Sequence, residues 1–311
     1  MLDNKQHVRL AECAGSVKEV YGTLPDILKK PLIKSPHGKY KFTRSGNRSA
    51  IYESGDGRNY RLKGCGNAEE GIVTLYGLIR GCQFEDGLKE LNVTNELSKF
   101  FTSFFPNKPV GYYEYEPFNE KRVFCTIYET LGDLRLNDDF LVYMEDNNLG
   151  DRELYGKIGE WAGYIKRVID DAGYIWGSYV DEDKVIHSNS HLNNIVVRLN
   201  GNRLELGPLD FDLAVEPKDY EDEVDCRERI GWQELERRTL RNSIFSSVAE
   251  IDLAKINPPL WGLFYSPPFK QSPNADFELR KMMVDGFDKG YRSKAQPEII
   301  ILEEDLVAKL I

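Results

Sequence analysis

The segment from residue 187 to residue 214 constrains the fold of this chain more than any other part of its sequence. It begins with a polar loop, HSNSHLNN, and continues as two apolar runs, IVVRL and RLELGPLDFDLA. The residues between the runs, Asn200-Gly201-Asn202, tolerate the positive φ angles that tight hairpin turns require. The segment therefore predicts a loop followed by a two-stranded antiparallel ribbon.

The second run ends with two carboxylates, Asp210 and Asp212, which alternation along a strand would place on one face. Two such carboxylates repel each other unless a cation or hydrogen-bond donors lie between them. Asn194 opens the first run, and its amide oxygen is a hard ligand of the kind that Mg²⁺ prefers. These three side chains predict a magnesium site. The alternative is a pair of capping aspartates at a strand end.

The remaining sequence predicts a small sheet in the first half of the chain and helices in the second half. Turn signals at Ser45-Gly46-Asn47 and Gly55-Asp56-Gly57 separate short runs that favour strands. From Asp151 onward, helical periodicity dominates. The predicted strands are about 39–44, 49–54, 59–63, 110–116 and 122–129, and the predicted helices are about 87–105, 151–172, 228–251 and 275–290.

Lys63 ends the third predicted strand, where its ammonium group could neutralise the phosphates of a nucleotide. A lysine in that position needs a carboxylate partner, and the following helix offers Glu90, which is favoured, and Glu96. The turn at Ser45 and Gly46 could place backbone N–H groups over phosphates. A surface lysine, surface carboxylates and an ordinary hairpin turn are the alternatives.

Net charge and composition limit the partners, the compartment and the metals that we expect for this protein. The formal net charge is −10, which argues against a nucleic-acid duplex. The sequence contains no apolar stretch of about 18 residues and no apolar signal segment at its start, so we expect neither a membrane span nor export. Five scattered cysteines without CxxC pairs favour a reducing, cytoplasmic compartment. His187 and His191 lie in a loop without a third soft ligand, so zinc is not expected.

Together these motifs resemble the protein-kinase-like fold, particularly its aminoglycoside phosphotransferase and selenoprotein O families. The loop is similar to the phosphotransferase pattern H-G-D-x-H-x-x-N-I, which His187, His191, Asn194 and Ile195 match. LDFDLA is similar to the pattern I-D-[FW]-[DE]-x-A, and RLKGCG is similar to the L-K-G-[AC]-G of selenoprotein O proteins. The resemblance covers about residues 40 to 215.

The resemblance implies a bilobal α+β fold, with a small antiparallel-sheet lobe over residues 1–130 and a mostly helical lobe over residues 131–311. It implies that ATP and Mg²⁺ bind in the cleft between the lobes, and that the ammonium group of Lys63 contacts the phosphates of ATP. Asn194 and Asp210 would hold the metal, with Asp212 as helper, and the backbone at Tyr128-Glu129-Thr130 would bind adenine. In an alternative alignment, Glu205 takes the metal position.

One departure from the phosphotransferase pattern concerns catalysis. Asn189 occupies the place of the aspartate that accepts the substrate's proton, and an amide cannot act as a general base. Selenoprotein O proteins also lack this base and transfer AMP to protein hydroxyls. We therefore expect an ATP-dependent transferase of a phosphoryl or adenylyl group, with Asn189, Asp210 and Lys63 as its catalytic residues. The acceptor is an unidentified protein or small molecule.

Two other functions stay open at this point. The chain could be a pseudokinase that binds nucleotide and serves as a regulatory scaffold. It could also be an α+β protein unrelated to kinases, in which Lys63 and Asp210 never meet. If it is a slowed kinase, the change Asn189→Asp should restore a base and raise γ-phosphoryl transfer by up to about 10²–10⁴-fold.

Overall fold

The chain forms two compact units, residues 1–99 with 106–131 and residues 100–105 with 132–311. The predicted strand at 39–44 and the turn residues Ser45 and Gly46 lie outside the described residues. The computed structural model describes residues 7–11, 17–19, 49–53, 59–63, 71–74, 77–80, 84–115, 123–132, 134–180, 185–217, 223–245, 250–252 and 276–310.

The first unit combines antiparallel strands with a helix. Its elements are β1 (His7–Ala11), β2 (Val17–Glu19), β3 (Ser49–Glu53), β4 (Asn59–Lys63), β5 (Gly71–Thr74), β6 (Gly77–Arg80), α1 (Phe84–Ser98), β7 (Asn107–Tyr115) and β8 (Val123–Thr130). Six strands form a sheet in the order β2-β1-β7-β8-β4-β3, and β5 pairs with β6 as a separate hairpin. Neighbouring strands in the sheet run antiparallel.

Four of these strands follow the sequence patterns closely. β3, β4, β7 and β8 match the strands predicted at 49–54, 59–63, 110–116 and 122–129. Aromatic and β-branched residues are frequent in these runs, and such side chains suit a pleated, half-buried surface. The pairing of β4 with β8 joins the two predicted hairpins into one sheet. This pairing could not be predicted from the sequence, because it joins strands more than 60 residues apart.

The helix α1 is shorter than its sequence pattern indicates. It ends at Ser98 rather than near residue 105. Beyond Ser98, Phe104 belongs to the second unit, where it packs in a buried cluster with Val196 and Leu209. The prediction is wrong for this stretch: Phe101 and Phe104 have helical spacing but are buried in the second unit, outside the helix.

The second unit contains two small sheets and most of the helical residues described. Its elements are β9 (Leu134–Arg135), a π-helical segment (Leu136–Leu141), α2 (Val142–Asp146), α3 (Arg152–Asp171), β10 (Ser178–Val180), β11 (Val185–Ser188), a 3₁₀ turn (Leu192–Asn194), β12 (Ile195–Asn200), β13 (Arg203–Pro208), α4 (Glu223–Asn242), β14 (Glu250–Asp252), α5 (Phe277–Arg292), β15 (Ile300–Ile301) and α6 (Glu304–Leu310). The mixture of antiparallel sheets and helices is the α+β composition that the sequence predicted.

The predicted ribbon is the centre of a larger sheet. β12 pairs with β13 around a turn in which Gly201 has a φ of +62°. β9 and β15 extend this hairpin on either side, in the order β15-β13-β12-β9. A second sheet has the order β10-β11-β14. The ribbon itself ends at Pro208, so the residues that follow it form a loop.

The helices α3 and α5 cross at direct backbone contact. A Cβ atom placed on Gly159 of α3 would lie 1.9 Å from the carbonyl oxygen of Met283, and one placed on Gly290 of α5 would lie 1.9 Å from that of Glu160. Both distances are far below van der Waals contact, so only glycine permits this approach. None of the helices in the described part of the chain is long and apolar enough to span a membrane.

A buried ion pair connects α2 to α5. The guanidinium of Arg280 donates two hydrogen bonds to the carboxylate of Glu145, and its Nη2 lies 2.8 Å from Oε2. Its Nη1 also donates to the carbonyl oxygen of Ile244, at 3.0 Å, just after α4. The two buried charges therefore neutralise each other, as buried ions require. Arg280 also satisfies a backbone carbonyl just beyond the end of α4.

Candidate functional site

The polar loop between β11 and β12 is fixed by hydrogen bonds at its first two residues, Asn189 and Ser190. The backbone N–H of Asn189 donates to the carbonyl oxygen of Gly177, at 2.7 Å. The hydroxyl of Ser190 donates to the backbone carbonyl of Glu236 in α4, at 3.1 Å. Gly177 has a φ of +140°, a conformation that L side chains rarely adopt, so glycine is required there.

The acidic residues Asp210 and Asp212 lie in the loop after β13 and not on a strand. Phe211 between them is buried and stacks on Trp176, with ring centroids 5.9 Å apart. The indole N–H of Trp176 donates to the carbonyl oxygen of Leu209, at 2.9 Å. Asp210 has a φ of +70°. The argument that strand alternation pairs the two carboxylates is therefore wrong, and the burial of Phe211 is what positions this loop.

The side-chain amide of Asn189 joins the polar loop to the acidic loop. Its Nδ2 donates to Oδ1 of Asp212, at 2.9 Å, and to the backbone carbonyl of Asp210, at 3.1 Å. Both hydrogens of the amide group therefore point at the acidic loop. The residue at the place of the expected base is engaged with the acidic residues through its nitrogen.

Asn194 is connected to the same group of residues. Its Nδ2 donates to the backbone carbonyl of Asn189, at 2.9 Å. Its carbonyl oxygen accepts the backbone N–H of Leu209, at 2.8 Å, one residue before Asp210. Its side-chain oxygen Oδ1 accepts a hydrogen bond from Nη1 of Arg135, at 3.2 Å. The structure thus brings Asn194 and the acidic loop together, with Asn189 as the link.

The chemistry of this group suits Mg²⁺. Two carboxylates and an amide oxygen are hard oxygen donors, and Mg²⁺ usually adds waters and phosphate oxygens to such ligands. An amide oxygen has two lone pairs, so the hydrogen bond from Arg135 still leaves Asn194 able to bind a cation. Across the described residues, no group of three or more His, Cys, Asp or Glu side chains is placed to hold a metal. A metal here would depend on the amide oxygen of Asn194 and on ligands from outside the chain.

In the first unit, Lys63 is the last residue of β4, paired with Ser49 and Thr126. Its side chain lies outside the described part of the structure. Glu90 of α1 is only 3% exposed, whereas Glu96 forms a surface ion pair with Lys99, at 2.6 Å. Burial favours Glu90 as the partner of an inward lysine, and that pairing stays a prediction.

Two other predicted residues occupy paired strands. Glu129 lies in β8, opposite both Tyr60 of β4 and Lys108 of β7, so strands flank its backbone on either side. Its role in adenine binding stays a prediction. Glu205 lies on β13, where its Oε2 accepts hydrogen bonds from Nε and Nη2 of Arg198, at 2.8 Å and 2.5 Å. Glu205, the alternative metal ligand, is thus paired with Arg198 across the two strands of the ribbon.

The two histidines of this segment lie in different elements, His187 in a strand and His191 in the polar loop. His187 lies in β11, and its backbone faces Tyr179 and Glu250. Nδ1 of His191 is buried without a hydrogen-bond partner among the described residues. Burial lowers the pKa of His191 to about 4, with the charge of Arg135 acting in the same direction and Asp210 opposing it. The imidazole is therefore neutral at pH 7.

A buried charge network beneath the loop was missed by sequence reasoning. Lys166 of α3 is fully buried, with its Nζ 2.5 Å from Oδ1 of Asp170 and 3.1 Å from Oε2 of Glu236. A weak signal was present, because the buried Ala162 and Ile169 lie one turn before and one turn after Lys166 on α3. The carboxylate of Glu236 also accepts three hydrogen bonds from the chain leading into β10: the N–H groups of Trp176 (2.9 Å) and Gly177 (2.8 Å) and the hydroxyl of Ser178 (2.9 Å).

The network places two carboxylates beside one lysine. Burial raises the pKa of Asp170 to about 6, although Lys166 and a hydrogen bond from Tyr291 oppose the shift. The charges of Asp170 and Glu236 keep the pKa of Lys166 raised despite its burial. Asp170 is therefore the member of the network that takes up a proton in mildly acidic solution.

The raised pKa of Asp170 predicts a pH dependence of stability. Its folded-state value exceeds its ordinary value of 3.8, so its stabilising contribution is complete below about pH 4 and is lost as the pH rises through about 6. Relative to an Asp170→Asn variant, the wild-type protein should lose roughly 2 kcal/mol of unfolding free energy between pH 4 and pH 7. Urea denaturation across this range measures the difference.

The matched control is Asp171→Asn, at a side chain that is 57% exposed and pairs with Arg167. This variant should keep the pH dependence of the wild type. If the unfolding free energy of Asp170→Asn falls as steeply with rising pH as that of the wild type, the pH dependence does not come from Asp170.

The sequence matches no protein-family profile and no curated protein. Among solved structures, WaaP in complex with acyl carrier protein is similar with a TM-score of 0.35 and 13% identity, over 64% of this chain and 70% of that chain. The Rio2 kinase–ADP/Mg²⁺–phosphoaspartate complex from Chaetomium thermophilum is similar with a TM-score of 0.34 and 12% identity, over 85% of this chain and 64% of that chain. Both TM-scores are below 0.5, so neither likeness determines the fold family or the function of this chain.

Proposed function

We propose that this chain is a Mg²⁺-dependent transferase that uses ATP and moves a phosphoryl or an adenylyl group to an acceptor. The observation that carries the proposal is the link made by Asn189. It hydrogen-bonds to the acidic loop through its side chain and to Asn194 through its backbone. These hydrogen bonds hold Asn194 close to the loop that carries Asp210 and Asp212, so the oxygen ligands that Mg²⁺ prefers are available in one neighbourhood.

Each residue has a proposed role. Asn194 and Asp210 hold Mg²⁺, and Asp212 assists. The metal, when bound, neutralises charge on the phosphates. In the first unit, Lys63 is proposed to bind phosphate, with Glu90 as its partner. The sequence resemblance to kinase-like phosphotransferases supports these roles, because the loop and the LDFDLA segment match patterns that serve them there.

The change Asp210→Ala tests the metal site. Wild-type protein should be stabilised by ATP only when Mg²⁺ is present, by about 2.7 kcal/mol at a ligand concentration 100 times the dissociation constant. Asp210→Ala should lose this Mg²⁺-dependent part and keep its cooperative unfolding. The measurement is the thermal shift produced by ATP with Mg²⁺ and with EDTA.

The control for this experiment is Glu205→Ala. Glu205 is paired with Arg198 on the ribbon, so its removal should lower the melting temperature of the free protein and leave the Mg²⁺-dependent shift intact. If Asp210→Ala retains the full shift and Glu205→Ala loses it, the metal is bound at Glu205 and the proposed site is wrong.

A nucleotide-binding scaffold without transfer is the second candidate. It is favoured by the engagement of Asn189, which presents amide hydrogens to the acidic loop and has no group that accepts a proton. Incubation with α-labelled and γ-labelled ATP separates the possibilities. Label from the γ position on protein or small-molecule acceptors indicates phosphoryl transfer, label from the α position indicates adenylyl transfer, and neither indicates a scaffold.

A further inference from the structure

The side chain of Asn189 has a single orientation that satisfies its surroundings. Its two contacts in the acidic loop, the backbone carbonyl of Asp210 and Oδ1 of Asp212, are both acceptors. Only the nitrogen end of the amide donates, so rotation of the group by 180° would set an oxygen against two oxygens. The acceptors therefore fix which end of the amide faces the acidic loop.

The backbone of Asn189 is held equally firmly. Its N–H donates to Gly177, at 2.7 Å, and its carbonyl oxygen accepts from Nδ2 of Asn194, at 2.9 Å. A Cβ atom at Gly177 would lie 3.0 Å from Nδ2 of Asn189, so the amide fills the space that glycine leaves. The N–H of Gly177 donates in turn to the buried carboxylate of Glu236, at 2.8 Å.

From these contacts we infer that Asn189 is a positioning residue, whose amide holds Asp210 and Asp212 in place for the metal and does not stand in for a missing base. The inference rests on the proposed function for its metal. It changes the expectation for Asn189→Asp. A carboxylate at this position cannot donate to Asp212, and it places a negative charge about 2.9 Å from another one. The change should loosen the acidic loop and should not increase γ-phosphoryl transfer.

The first test measures the acidic loop directly. Amide hydrogen exchange in a peptide covering residues 205–215 should be faster in Asn189→Ala than in the wild type, and faster still in Asn189→Asp. The matched control is Asn193→Ala. Asn193 lies in the same loop, and its amide donates to a carboxylate of its own, Asp138 at 2.9 Å, but it has no contact with the acidic loop among those described. Exchange at 205–215 should stay at the wild-type rate in this control.

The second test measures the metal. Outer-shell partners of metal ligands typically contribute about 10–100-fold in affinity. Mn²⁺ binding in the presence of a non-hydrolysable ATP analogue, followed by electron paramagnetic resonance, should weaken by that factor in Asn189→Ala and stay unchanged in Asn193→Ala. A purely structural role would lower the unfolding free energy of Asn189→Ala without changing the Mn²⁺ affinity of the folded protein.

The outcomes separate this inference from the proposed function. Unchanged Mn²⁺ affinity in Asn189→Ala would overturn the inference, whether or not exchange at 205–215 becomes faster. Unchanged exchange at 205–215 would also overturn it, because the acidic loop would then not depend on the amide of Asn189. A rise of tenfold or more in γ-phosphoryl transfer by Asn189→Asp would also overturn it, because the position would then be that of a base. If wild-type protein shows no Mn²⁺-dependent nucleotide binding, the proposed function fails, and the exchange measurement alone decides whether Asn189 holds the acidic loop.

Discussion

The change Gly159→Ala should lower the unfolding free energy of the second unit by about 3 kcal/mol or more, the upper range for overpacking a close contact. The added methyl group would lie 1.9 Å from the carbonyl oxygen of Met283. That oxygen belongs to the backbone of α5, so no side-chain rotation relieves the clash. The helices must separate, and the apolar side chains packed on both of them lose contacts. Urea denaturation followed by tryptophan fluorescence measures the effect, because Trp161 lies on α3 itself and Trp176 and Trp232 belong to the same unit.

The control lies three residues earlier on the same helix. A Cβ atom on Gly156 would meet nothing nearer than the carbonyl oxygen of Met282, at 4.0 Å. Gly156→Ala should therefore raise stability by about 0.5–1 kcal/mol, since alanine loses less conformational entropy than glycine on forming a helix. The same chemical change in one helix should thus have opposite signs at two positions. Equal effects at both glycines would show that α3 and α5 do not cross at backbone contact.

The change Glu236→Ala should lower the unfolding free energy by roughly 3–5 kcal/mol, the cost of breaking a buried ion pair. It would leave Lys166 fully buried with Asp170 as its remaining carboxylate. It would also leave the N–H groups of Trp176 and Gly177 without their acceptor. Because Gly177 holds Asn189, we expect the loss to extend to the polar loop. Urea denaturation at pH 7 measures the loss of unfolding free energy, and hydrogen exchange over residues 176–194 shows whether the polar loop is destabilised.

Glu234→Ala is the matched control for this prediction. Glu234 lies on the same helix and pairs with Arg237 and Arg238, but its side chain is 39% exposed. Exposed ion pairs contribute little, so this variant should stay within about 1 kcal/mol of the wild type. If the two variants are equally stable, the network around Lys166 does not hold the loop.

Elements with regular periodicity were predictable from the sequence. α3 runs from Arg152 to Asp171 where the pattern indicated 151–172, and the hydrogen bond from the N–H of Leu154 to the side chain of Asp151 marks its start. The turn at Gly201 fixed the register of the ribbon. In both cases the determining interactions lie within a few residues of each other, so the local sequence carries the information.

The predictions that were wrong concern the ends of elements. α1 stops at Ser98, and Phe101 and Phe104 beyond it are buried in the second unit. β13 stops at Pro208, although apolar and acidic residues continue to alternate as far as Asp212. The alternation reflects the burial of Leu209 and Phe211 in a loop. A hydrophobic pattern reports burial, and the same burial is reached by more than one backbone conformation.

The sequence by itself determined the mixed α+β composition, the helix α3, the ribbon β12–β13 and the residue types of the proposed magnesium site. Only the tertiary structure decided what Asn189 does. In the sequence, Asn189 occupies the position at which the similar phosphotransferase pattern has an aspartate. In the fold, its side-chain amide donates a hydrogen bond to Asp212, and its backbone carbonyl accepts one from Asn194. The partner of Lys166 was likewise decided by the packing of α3 against α4, 70 residues later. Such pairings depend on which distant surfaces meet, because a hydrogen bond or a buried charge is specified by its partner and not by its position along the chain.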